Sequence, residues 1–67
     1  MYSVDVTYLS NEILTDEYNL ELDDKDLSSF LNMLNKKYAR LYSVEYNKHT
    51  VFAFTRDTVK VVIKVYH

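Results

Sequence analysis

The stretch DDKDLSSFLNMLNKKYARL, residues 23–41, decides the fold. Leu27, Phe30, Leu31, Leu34, Tyr38 and Leu41 recur at steps of three and four residues. That spacing lays them along one side of an α-helix, as an apolar stripe roughly 100° wide. Met33 falls on the margin, and Ser28, Ser29, Asn32, Asn35 and Lys36 fall opposite. The spacing predicts a helix over Asp24–Tyr38. Asp23 or Asp24 is placed to cap free N–H groups at its start, and Asp26 lies in the first turn. Lys36, Lys37 and Arg40 put positive charge at its end, where the helix dipole is negative. A helix this short is marginal alone in water, so it must lie on something. The rest of the chain reads as a sheet.

Upstream, residues 2–9 alternate. Tyr2, Val4, Val6 and Tyr8 point one way, while Ser3, Asp5, Thr7 and Leu9 point the other. Residues 10–17 are mostly polar and are expected to be a connection, with Ile13 and Leu14 tucked against the core edge. Residues 18–22 alternate again, Tyr18, Leu20 and Leu22 against Asn19 and Glu21, as a second strand hairpinned to the first. Downstream, Tyr42, Val44 and Tyr46 oppose Ser43 and Glu45; Phe52 and Phe54 oppose Val51, Ala53 and Thr55. Val59, Val61, Ile63 and Val65 then oppose Lys60, Val62, Lys64 and Tyr66. Asn47–His49 and Arg56–Thr58 read as the turns of an antiparallel meander, with Asn47 taking the positive φ that glycine would supply. The aromatics of the third and fourth strands, Tyr42, Tyr46, Phe52 and Phe54, are assigned to the core face. The sum is a single α+β domain over residues 1–67: ββαβββ, an antiparallel sheet of about five strands with one helix packed on one face.

Composition bounds the function. The chain has 67 residues, 48% of them hydrophobic and 27% charged, which fits one small globular domain. A core of this size is worth only about 3–5 kcal/mol net. There is no cysteine, hence no disulfide framework and no thiolate metal site. Glycine and proline are also absent, which removes phosphate-binding glycine loops, dinucleotide fingerprints and glycine-lined oxyanion loops. Tyrosine, asparagine and lysine are plentiful; their codons are AT-rich, as in a low-GC bacterium or its phage. No secretory signal is expected, and no apolar run approaches the roughly 20 residues that span a membrane. The expected setting is cytoplasmic, the host cytoplasm if the chain is phage-encoded.

Charge carries the main functional signal. The net charge is −2, but residues 1–26 hold eight carboxylates and one lysine, a net −7. Residues 27–67 hold seven cations and two carboxylates, a net +5. Part of this split is expected to neutralise itself across the sheet, with Asp5 and Glu21 facing Lys60 and Lys64. Three readings follow. In the first, a non-enzymatic protein-binding module, an inhibitor or adaptor, meets a basic protein surface through Glu12, Asp16, Glu17 and Glu21. In the second, Lys48, Arg56, Lys60 and Lys64 follow a nucleic acid backbone while Tyr66 or His49 stacks a base; assigning the aromatics to the core counts against it. In the third, Val51, Val62 and Tyr66 on the face away from the helix form a self-association patch; the last strand reads as an edge whose Lys60 and Lys64 block edge-to-edge pairing, and without that protection it would pair with a copy of itself. No catalytic residue, metal site or cofactor is expected. His49 and His67 have no partner by spacing, and Asp23 and Asp26 read as caps rather than an acid–base pair.

Overall fold

A computed structural model describes residues 1–67. The elements follow the expected order: β1 (Tyr2–Ser10), β2 (Ile13–Leu22), α1 (Asp24–Lys37), β3 (Ala39–Glu45), β4 (His49–Arg56) and β5 (Val59–Tyr66). They form one antiparallel five-stranded sheet, ordered β2-β1-β5-β4-β3, with α1 on one face.

The helix packs by the stripe that predicts it. Leu34 is buried, and Leu27, Phe30, Leu31 and Tyr38 pack around the core. Asp23 is the N-cap, its Oδ1 accepting from the Asp26 N–H at 2.8 Å. The helix stops at Lys37, and Tyr38 caps it in an extended conformation, its N–H donating to the Leu34 carbonyl. Leu41 therefore belongs to β3 rather than to the helical stripe. Met33, on the margin, is exposed.

The core joins Leu34 to Val4 and Val6 of β1, Phe54 of β4, and Val61, Ile63 and Val65 of β5. β5 supplies the most buried side chains because it lies in the middle of the sheet, between β1 and β4. This corrects the expectation that the last strand is an edge. Lys60 and Lys64 sit in the interior of the open face and guard no edge; the outer strands are β2 and β3.

Residues 10–17 are also corrected. They are not a polar connection: β1 turns directly into β2 through Asn11 and Glu12, with Ser10 paired to Ile13. Both turn residues take positive φ, 51° and 65°, as a primed two-residue hairpin demands. Ile13 and Leu14, expected at the core edge, are 68% and 54% exposed. Pairing carried straight on from this turn would bring Glu17 onto the side of Val6. Instead a bulge leaves Thr15 unpaired, and Tyr18, Leu20 and Leu22 come onto the core side opposite Val6, Val4 and Tyr2. The Thr15 hydroxyl donates to the Tyr8 carbonyl at 3.2 Å, which anchors the bulge.

A second bulge acts at β3. Tyr46 closes onto His49, its N–H donating to the His49 carbonyl at 2.8 Å, so Val44 pairs with Val51 and Tyr42 with Ala53. Tyr42, Val44 and Tyr46 thus lie on the face away from the helix, not on the core face expected for them. The bulge at Leu41 then returns Arg40 to the helix side, opposite Phe54. The Arg40 guanidinium lies 5.6 Å from the Phe52 ring and 6.0 Å from the Phe54 ring, closing the core where β3 offers no apolar residue. Asn47 does not take positive φ; besides Asn11 and Glu12, only Asp57 of the β4–β5 turn does, at 57°. No helix is long and apolar enough to cross a membrane.

Candidate functional site

With α1 on one side only, the other face of the sheet is uncovered. Its side chains alternate with the core residues along every strand, so the register lays it out row by row. One row runs Glu21, Ser3, Tyr66, His49, Tyr46 from β2 to the end of β3; the next runs Asn19, Asp5, Lys64, Val51, Val44. A third runs Glu17, Thr7, Val62, Ala53, Tyr42. The face is therefore divided: acidic over β2 and β1, basic over β5, and aromatic and aliphatic over β4 and β3.

The structure separates the four expected acidic binding residues. Glu17 and Glu21 share the open face, and Asp5 lies on the neighbouring strand between their rows. Asp16 points to the helix side, its Oδ1 accepting from the Glu17 N–H at 2.9 Å. Glu12 sits at the hairpin tip. Asp5, expected on this face as a cross-strand partner of a lysine but not as a contact residue, belongs to the acidic group. Asn19 holds it, donating to Asp5 Oδ1 at 2.8 Å and to Ser3 Oγ at 3.0 Å. A shallow depression of about 400 Å³ opens there, lined by Asp5, Thr7, Glu17, Asn19, Val62 and Lys64 among others.

Of the two expected cross-strand charge placements one is found, without an ion pair. Asp5 stands opposite Lys64 across the β1–β5 pair. Glu21 stands opposite Ser3, whose other neighbour is Tyr66, so it faces neither Lys60 nor Lys64.

The self-association candidates come together: Val51 and Val62 are half-buried on the open face and Tyr66 is exposed there. Tyr42, Val44 and Tyr46 extend their patch to the sheet edge, all three exposed. The two-residue turn Asn47–Lys48 is the signal that finds them, because it pairs Tyr46 with His49 and dictates every later pair. At one end of the patch, the Tyr46 and His49 rings stack with centroids 4.8 Å apart, and His49 lies 5.5 Å from Tyr66. Of the four expected phosphate-contacting cations, Lys60 and Lys64 share this face, Lys48 lies in the adjoining turn, and Arg56 falls on the helix side opposite Val59.

Two tyrosines are perturbed on the helix side. Burial, with the Tyr18 hydroxyl beside it and further charge from Tyr38 and Asp16, pushes the Tyr8 phenol up to about 12. The Asp24 carboxylate, as an acceptor and as a nearby charge, raises Tyr2. Neither points to a base or a nucleophile. His67 bonds Thr50, with 3.1 Å between Nε2 and Oγ1, and no three His, Asp or Glu side chains converge as a metal site. No family model, curated protein or solved structure matches this chain.

Proposed function

We propose that the protein is a non-enzymatic protein-binding module, an inhibitor or adaptor that works stoichiometrically by laying its acidic sheet edge against a basic protein surface. The observation that supports this most is the placement of Glu17, Glu21 and Asp5 on one uncovered face, beside an outer strand free to approach a partner. Of these acids only Asp5 stands opposite a cation. Acids spaced along a rigid strand can occupy a site shaped for nucleic acid phosphates, and they steer association with a basic partner. Glu12 at the hairpin tip and Asp16 on the reverse side extend the same negative field around the edge.

A second reading draws on the aromatic half. Lys60 and Lys64 share the open face with Tyr42, Tyr46 and Tyr66, next to the Tyr46–His49 stack. Cations flanking exposed rings suit a single-stranded nucleic acid, with bases on the rings and phosphates on the lysines.

A pull-down from host lysate separates the readings. It compares the tagged protein with a Glu17→Lys/Glu21→Lys variant, under rising salt and with nuclease. A protein retained after nuclease, released as salt rises and lost to the variant supports the acidic-edge reading. Equal retention by the variant removes it. Retention that depends on nucleic acid, and that disappears in Lys60→Glu/Lys64→Glu, favours the second reading.

A further inference from the structure

The two outer strands of the sheet are unlike. β2 carries Asp16, Glu17 and Glu21, with Glu12 at its tip, and such charges keep an edge from pairing. β3 is exposed at all seven positions, and its middle is apolar: Leu41 is 51% exposed, Tyr42 44% and Val44 39%. Neither proline nor lysine interrupts it. Because the Tyr46 N–H points to His49, the alternation of an antiparallel pair turns Val44 and Tyr42 inward as well. The backbone groups of Ser43 and Glu45 then point outward, with no strand beyond them.

We propose that β3 pairs with β3 of a second copy, antiparallel about a two-fold axis at Ser43, to make one ten-stranded sheet. This holds whether or not the acidic edge binds a partner. The register about Ser43 uses the outward backbone groups and sets Ser43 against its own copy. It places Tyr42 opposite Val44 of the second copy, twice, on the open face; aromatic and β-branched residues are favourable cross-strand neighbours. The helix-side charges of the strand are one cation near its start, Arg40, and one anion at its end, Glu45. Antiparallel self-pairing brings each toward its opposite in the other copy. The bulge at Leu41 leaves Tyr42–Val44 regular at the centre of the seam, and in this register Leu41 of each copy stands opposite Glu45 of the other. Pairing through β2 would instead set two acidic edges side by side. With β3 at the seam the acidic edges lie roughly 40 Å apart at about 4.8 Å per strand, several screening lengths away. The closed two-fold contact also gives a small, unstapled domain extra buried surface.

Sedimentation equilibrium over a wide concentration range tests this, with residue-resolved amide exchange. The wild type is expected to pass from monomer to dimer, with the Ser43 and Glu45 amides slowing as concentration rises. Ser43→Lys places two like charges across the axis and is expected to weaken the dimer by at least about tenfold. Ser43→Pro removes only an outward N–H, so it is expected to keep the monomer's circular dichroism and abolish the dimer. A wild type that stays monomeric, or assemblies that grow past the dimer, overturn the proposal. So does a dimer that both variants preserve, or one in which these two amides exchange as fast as in the monomer. Should Ser43→Pro fail to fold, the lysine variant and the exchange rates still decide.

Discussion

Asp5 faces Lys64 directly across the β1–β5 pair, yet its carboxylate takes its hydrogen bond from Asn19 on the other flank, at 2.8 Å. The neutral Asn19 amide, between Glu17 and Glu21 on β2, thus ties Asp5 to the acidic edge. Even a formed ion pair at a surface contributes only about 0–1 kcal/mol, and the half-buried Asp5 and exposed Lys64 stand opposite without forming one, so the charges of this face are free to serve recognition rather than folding.

Reversing Glu17 and Glu21 to lysine should leave the fold standing. Both side chains are exposed, and each change is expected to move unfolding free energy by no more than about 0.5 kcal/mol. Urea denaturation followed by circular dichroism measures it. A loss of several kcal/mol would make these residues structural and remove them as recognition residues.

Glu12 holds a φ of 65° in the β1–β2 turn, a region unfavourable for a residue with a side chain. Glu12→Gly relieves that cost and is expected to stabilise the protein by about 0.5–1 kcal/mol. The melting temperature should rise accordingly. A fall would mean that the carboxylate itself supports the hairpin.

Leu34 is the one fully buried residue of the helix and seals the core cluster. Leu34→Ala is expected to cost about 2–5 kcal/mol. Set against a net stability of about 3–5 kcal/mol for so small a domain, this is enough to unfold much of the population. Far-ultraviolet circular dichroism would show it; a variant that melts like the wild type would mean that the helix contributes little to the core.

The Tyr8 phenol is pushed up to about 12 from 10.0, so the fold favours its neutral form. Below pH 10 both folded and unfolded chains keep the proton, and this contribution is complete. As pH rises from 10 to about 12 the unfolded chain releases the proton first, and the contribution is lost. Denaturation midpoints should fall across that window, and Tyr8→Phe should flatten the fall. Identical slopes in the two proteins would show that Tyr8 does not carry it.

Most elements were legible from residues alone because they wrote their period into the chain; the first half of β2, residues 13–17, was not, because its residues are all exposed and carry no buried alternation. Leu27, Phe30, Leu31 and Leu34 identify their own buried side, since a helix has only one stripe to bury. Val61, Ile63 and Val65 do the same in β5, where the alternate positions carry Lys60 and Lys64. The acidic and basic halves could be counted directly. The candidate site was less legible, because it depends on which strands are neighbours.

Period two divides a strand into two sets without saying which faces the core when both are mixed. In β3 the choice lay between Tyr42, Val44 and Tyr46 on one side and Leu41, Ser43 and Glu45 on the other. The two-residue turn at Asn47–Lys48 decided it through the pairing of Tyr46 with His49. In β2 the unpaired Thr15 decided it, turning Tyr18 inward and Glu17 outward. A single extra residue inverts every side chain beyond it, and no alternation in the strand records that event. The sequence by itself therefore determined the helix with its acidic start and basic end, the ββαβββ order and the charge of each half. Only the tertiary structure placed β5 at the centre, made β2 and β3 the edges and laid acids, lysines and tyrosines on one open face, because strand order and register arise from pairing between distant segments.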